Sequence, residues 1–114
     1  MGWRSCALII REKIMDEKKI EIEEIREGTT LICKLSGWLD PNTSPEFVAH
    51  VDVEGVKSLV FDLQNVEYVF SAGIRAFLIF QRKMEAQGGT MKLVNVSDFI
   101  RSIFDYAGLA AFIE

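Results

Sequence analysis

The sequence predicts an α/β fold, a mixed β-sheet of four to five strands packed with three to four helices. Three observations predict it. Ile20 to Ile25 and Leu31 to Ser36 alternate apolar and polar residues on either side of Glu27-Gly28-Thr29, the pattern of a hairpin with one wet face. Ser58 to Leu63 (SLVFDL) is a nearly continuous apolar run, as a strand covered on both faces is, and Met91 to Val96 (MKLVNV) is another apolar strand. Between and after these runs, apolar residues recur at helical spacing. The resulting order, β-β-α-β-α-β-α, is a hairpin followed by βαβ units, which builds a mixed sheet with helices packed on it.

Each element has its own local signal. Gly37 is expected to end the hairpin. Asp40-Pro41-Asn42-Thr43-Ser44-Pro45 is a dense turn and helix start, in which Thr43 and Glu46 form a capping-box pattern and Pro45 suits a first turn. Phe47, Val48 and Val51 follow at helical spacing, and Gly55 is expected to close that helix. Asn65 to Phe70 reads as a connection with some β character. Ser71 opens a strong helix that Gly88-Gly89 stops. Ser97 caps a last helix with an apolar face of Phe99, Ile100, Ile103, Phe104 and Ala107, and Gly108 ends it. Leu109 to Ile113 is expected to pack back onto the body. On the central helix, at roughly 100° per residue, Ile74, Phe77, Phe80 and Met84 share a core-facing side. Arg75, Ile79, Arg82 and Ala86 lie opposite. An isoleucine between two arginines suits a partner contact, and a single exposed apolar residue is equally ordinary.

The totals narrow the function. The chain has 114 residues, about half of them hydrophobic (49%) and 26% charged, enough for one compact core. Its net charge of −4 argues against nucleic acid and against an anionic membrane surface. Cys6 and Cys33 are expected to stay unpaired, and with His50 as the single histidine no metal site or cofactor is expected. No apolar stretch is long enough to span a bilayer. Residues 1–14 form a leader that fits neither a secretory signal nor a myristoylation site. They are expected to be disordered or non-native, with the domain running over residues 15–114 from Met15.

The chemistry concentrates in Glu67-Tyr68-Val69-Phe70-Ser71-Ala72-Gly73, between a strand and a helix, where α/β sheets commonly place their sites. The residues alone read Ser71 first as a helix N-cap. Its second reading is a phosphoacceptor, since free N–H groups and the helix dipole accommodate phosphate and small Ala72 and Gly73 permit close approach. Catalysis has little support. There is no GxSxG elbow or phosphate loop, no carboxylate evidently orients His50, and Asp40 and Asp62 read as a turn residue and a polar strand end.

The segment from Ser58 to Val96 resembles the core of STAS domains, the anti-sigma factor antagonist fold. Asp62, the loop Phe70-Ser71-Ala72-Gly73, Gly88-Gly89 and Leu93-Val94 occupy the places of that family's strand end, site loop, turn and following strand. Gly37-Trp38-Leu39-Asp40 matches its Gly-x-Leu-Asp turn, and Phe104 to Leu109 resembles its terminal element. Two residues depart from the usual loop: Phe70 stands where Asp or Ser is frequent, and Ala72 where Ser or Thr is.

The resemblance implies a cytoplasmic, non-enzymatic regulator whose loop serine, here Ser71, is phosphorylated. The kinase would be a partner anti-sigma factor of the histidine-kinase-like ATPase type, and a PP2C-type phosphatase would restore the serine. Partner contacts are then expected at Trp38, Asp40, Phe70, Ala72, Gly73, Arg75, Ile79 and Arg82. Trp38 could equally cover core. The alternative is a non-phosphorylated STAS scaffold subunit of a transport or stress-sensing complex.

Overall fold

The computed structural model describes residues 20–113. The leader, Met15 and Cys6 therefore lie outside the described residues. Within them, β1 (Ile20–Glu27) and β2 (Thr30–Leu39) form the hairpin, followed by α1 (Ser44–His50), β3 (Ser58–Val69), α2 (Ser71–Ala86), β4 (Thr90–Val94) and α3 (Asp98–Ala107). A single 3-10 turn, Ala110–Phe112, closes the order. The strands make a four-stranded sheet in the order β1-β2-β3-β4. β1 is antiparallel to β2, while β2, β3 and β4 run parallel. This is the predicted mixed α/β sheet.

Each crossover steps one strand in the same direction, so right-handed connections place α1 and α2 on one face. That face is the core. It takes Leu31, Cys33 and Leu35 from β2, Leu59, Phe61 and Leu63 from β3, and Met91 and Leu93 from β4, all buried. α2 supplies Ala76, Phe77, Phe80 and Met84, and α3 supplies Ile100 and Phe104. Rings knit the layers together. Phe47 of α1 meets Phe61, Phe77 and Phe80 at centroid distances of 5.4, 5.5 and 5.0 Å, and Phe77 meets Phe104 edge-on at 5.6 Å. Such pairs add to the burial of their area. Leu109 is buried and Ile113 bridges Leu93 in parallel, so the apolar tail packs back as expected.

Several local expectations are corrected. Among the described residues the opposite sheet face is only partly buried: Ile32, Val60, Asp62 and Val94 are half-buried, and Lys34 and Lys92 exposed, so Ser58 to Leu63, read as covered on both faces, is fully buried on one. β2 does not stop at Gly37 but continues to Leu39, with Gly37 at φ 108 beside a register shift. β3 likewise absorbs Asn65 to Val69, read as a connection. It carries two extra residues against β2, as Lys34 and Ser36 pair with Asp62 and Asn65, and Gly37 and Trp38 with Val66 and Tyr68. Asp62 is therefore a mid-strand residue, where it accepts hydrogen bonds from Asn95 Nδ2 at 3.1 Å and the Gln64 amide at 3.0 Å. α1 ends at His50, with Gly55 five residues later in a separate turn at φ 79.

Two outcomes follow from the packing. Phe61→Ala should cost about 3–5 kcal/mol, measured as a lower urea midpoint, because the truncated ring leaves a cavity among other rings. Burial first, then the Glu24 carboxylate, against a smaller opposing effect of Arg26, pushes the Cys33 thiol up from its ordinary 9.0 to about 12. Between those values the unfolded chain releases this proton and the folded chain keeps it. The contribution of Cys33 to stability is thus whole below 9.0 and is lost as pH rises toward about 12. Urea titrations above about pH 9 should show a steeper decline for the wild type than for Cys33→Val.

Candidate functional site

The carboxyl ends of β2 and β3 deliver their residues to one place. Leu39 pairs with Val69, and the Leu39 carbonyl accepts the Phe70 N–H at 2.8 Å. One residue later the chain turns into α2. Phe70, not Ser71, is the N-cap, with extended φ −87 and ψ 174 and no side-chain cap bond. The first helical hydrogen bond runs from Ile74 N–H to the Phe70 carbonyl at 3.0 Å, so the N–H groups of Ser71, Ala72 and Gly73 precede it. Ser71 is thus the first helical residue, exposed, with Ala72 half-buried and Gly73 buried beside it.

Gly73 marks the closest approach. A Cβ there would stand 2.7 Å from Leu39 Cβ and 2.9 Å from Val69 Cγ1. The first turn of α2 rests directly on the two strand ends, with no room for a methyl group.

Asp40 follows Leu39 and serves the turn. Its Oδ1 accepts the N–H groups of Asn42 and Thr43, both at 2.8 Å. The expected Thr43–Glu46 capping box does not form. Thr43 has helical φ and ψ, and its side chain makes no cap bond. Its Oγ1 instead donates to the Trp38 carbonyl at 2.8 Å and accepts the Asp40 N–H at 2.9 Å, fastening the turn to the end of β2.

Trp38 is neither core nor isolated. It is half-buried, stacks on Tyr68 at 5.6 Å and 25°, lies 5.7 Å from Phe70, and donates its indole N–H to Glu67 Oε1 at 2.8 Å. Tyr68 meets Phe70 at 4.6 Å and Phe99 at 5.5 Å. Phe99 belongs to the last helix's expected apolar face but is 54% exposed, and Phe70 is 37% exposed. The four rings form a continuous surface from the end of β2 to the start of α3, ending beside Ser71. Sequence reasoning found Trp38 and Phe70 but missed Tyr68 and Phe99. The available signal was the Tyr68–Phe70 spacing of two, which puts both rings on one side of an extended chain.

On α2, Arg75 and Arg82 are exposed and Ile79 half-buried, in line with Ser71 along the outer side. Of the expected site residues, Trp38, Asp40, Phe70, Ser71, Ala72 and Gly73 are gathered at the strand ends, and Arg75, Ile79 and Arg82 extend away along the helix. His50 is exposed on α1, its Nε2 3.4 Å from Glu24 Oε2, and takes no part. No helix among the described residues is long and apolar enough to cross a membrane.

A two-layer α/β sheet with an exposed serine opening the helix after its longest strand defines a class of small α/β domains. The STAS domain family profile matches residues 19–114, and the chain belongs to that family. A putative anti-sigma factor antagonist of Bordetella bronchiseptica, BtrV, is 30% identical over 63 residues, covering 55% of this chain and 53% of BtrV, so the match spans about half of that relative. An anti-sigma F factor antagonist of Lysinibacillus sphaericus is 27% identical over 84 residues, 70% of this chain and 72% of its own. The anti-sigma factor antagonist SpoIIAA superposes in its unphosphorylated form with a TM-score of 0.74 at 21% identity, over 82% of this chain and 85% of that one. The phosphorylated form of SpoIIAA, from Bacillus, superposes with a TM-score of 0.68 over 82% and 88% of the two chains, again at 21% identity. The fold is that of an anti-sigma factor antagonist.

Gly73→Ala should lower stability by about 1–3 kcal/mol, seen as a reduced urea midpoint at unchanged m-value, because the added methyl collides with Leu39 and Val69.

Proposed function

We propose that this protein is a cytoplasmic anti-sigma factor antagonist, a non-enzymatic binding module switched by phosphorylation of Ser71. The observation that carries the reading is the placement of Ser71, exposed on the uncapped first turn of α2 between an aromatic surface and small residues. The chain's membership of the STAS family and its likeness to antagonists, one of them solved in a phosphorylated form, support it.

The partner is an anti-sigma factor that is also an ATP-dependent serine kinase of the histidine-kinase-like type. It docks on Trp38, Asp40, Phe70 and Ala72, and along Arg75, Ile79 and Arg82, while the expected contact Gly73 is buried against Leu39 and Val69 and serves by seating the helix. In the transfer, Ser71 Oγ forms a bond to the γ-phosphorus of ATP, the bond to the leaving ADP oxygen breaks, and the hydroxyl proton passes to a base of the kinase. A PP2C-type phosphatase returns the serine by hydrolysing the Oγ–phosphorus ester. Residues of this chain supply the acceptor and the surface, not the catalytic groups.

Phosphate adds roughly −1.5 to −2 charge at pH 7, which the free N–H groups and dipole of α2 tolerate. A partner surface closed over Ser71 and Ala72 does not, because it would bury an unpaired charge. An assumed loss of about 3 kcal/mol weakens binding roughly a hundredfold.

The test is calorimetric titration of the cognate kinase-like anti-sigma factor with unmodified protein, Ser71→Ala and the form phosphorylated by that kinase. Unmodified protein and Ser71→Ala should bind alike, and the phosphorylated form roughly a hundredfold more weakly. Equal affinities for the unmodified and phosphorylated forms, or phosphate found on another residue, would overturn the reading.

A further inference from the structure

We propose that Arg75 is the receiver of the Ser71 phosphate, so that phosphorylation also withdraws a cation from the docking surface. The inference rests on the reading that Ser71 is the phosphoacceptor, and it names what that phosphate then does.

Ser71 is the first residue of α2 and Arg75 stands four residues on, both exposed. Residues at this spacing lie one above the other on a helix, with Cβ atoms about 5–6 Å apart. A phosphoserine and an arginine side chain together span that gap with length to spare, and the guanidinium offers paired N–H donors to two phosphate oxygens. Three features leave Arg75 available. Among the described residues no carboxylate is paired with it. The first turn of α2 carries no acidic residue. Among the described residues the cation–ring contact on this helix is made by Lys83, over Phe80 at 5.6 Å, and not by Arg75. The amides of Ser71, Ala72 and Gly73 supply further donors, since Phe70 provides no side-chain cap.

The consequence for binding is a reversal of local charge. Arg75 and Arg82 flank Ile79 in an otherwise acidic chain of 13 basic and 17 acidic residues. Unmodified, the Ser71–Arg75 step presents one positive charge. Phosphorylated, it presents a net charge of roughly −1, with the guanidinium folded back onto the phosphate. A partner that used Arg75 loses that contact as well as meeting the phosphate.

The experiment uses full-length protein with phosphoserine encoded at position 71 during synthesis, so it needs no kinase. The second ionisation of the phosphate is followed by phosphorus NMR across a pH titration at low salt. A neighbouring guanidinium favours the dianion, so the wild-type midpoint should lie about 0.3 pH unit or more below that of Arg75→Gln. Arg75→Lys should recover part of the difference, and high salt should shrink it. Arg82→Gln, further along the helix, should leave the midpoint at the wild-type value. Equal midpoints for wild type and Arg75→Gln would overturn the proposal, as would an Arg82→Gln effect as large as that of Arg75→Gln. Neither result bears on whether a kinase modifies Ser71, which is decided by mapping phosphate on protein treated with the partner and ATP.

Discussion

The site depends on the seating of Gly73 against Leu39 and Val69. Because a Cβ at Gly73 would stand 2.7 Å from the Leu39 side chain, the first turn of α2 touches the strand ends directly. That contact fixes the phase of the helix. With Gly73 inward, Ala76, Phe77, Phe80 and Met84 follow it inward at spacings of three and four, into the ring cluster of the core. Ser71, Arg75 and Arg82 must then face outward. The exposure of the serine is thus a result of packing two residues away, and the same packing sets the direction in which Arg75 leaves the helix.

The aromatic surface has a different origin, the two extra residues of β3. Along Leu59, Phe61 and Leu63 the buried positions are odd-numbered. The first insertion exposes both Gln64 and Asn65 and moves burial to Val66, and the second returns it to Val69. Bulges of this kind re-aim side chains at the end of a strand. Here they bring Tyr68 beside Trp38, off the core face, and leave Phe70 to continue the row. The Trp38 indole bond to Glu67 uses the inserted residue itself. Continued without the two extra residues, the Lys34–Asp62 register would set Val66, not Tyr68, opposite Trp38.

This division explains what the sequence disclosed. Element order, the hairpin turn at Gly28, the αL cap at Gly108 and the cap of Ser97, whose Oγ accepts the Ile100 N–H at 3.2 Å, rest on neighbours in the chain. Periodicity and turn chemistry report such contacts. Ser71 at the head of a helix was legible for the same reason. Tyr68 and Phe99 were not, because their role requires the bulged register and the arrival of α3, 31 residues apart in sequence by the difference of their numbers. The Thr43–Glu46 signal misled in the opposite way. A local capping pattern was present, but Thr43 Oγ1 found the Trp38 carbonyl at 2.8 Å, and a contact to the strand end displaced the local one. The early end assigned to the second strand failed likewise. Gly37 signals a turn locally, yet its positive φ is accommodated within a continuing parallel pair.

These separate origins suit a switch that works without refolding. The core beneath α2 is closed by Phe47, Phe61, Phe77, Phe80 and Phe104, all fully buried and close-packed. A charge added at Ser71 meets free amides and an exposed arginine, so the folded chain takes it up locally. The difference between states is therefore displayed on the surface rather than transmitted through the interior. A partner that closes over this surface must match both shape and charge. On the proposed reading, the rings from Trp38 to Phe99 would keep their shape in either state, while the Ser71–Arg75 step would change sign. Affinity can then come mainly from the aromatic surface and control mainly from the helix, so that a small local free-energy change is enough to release the partner.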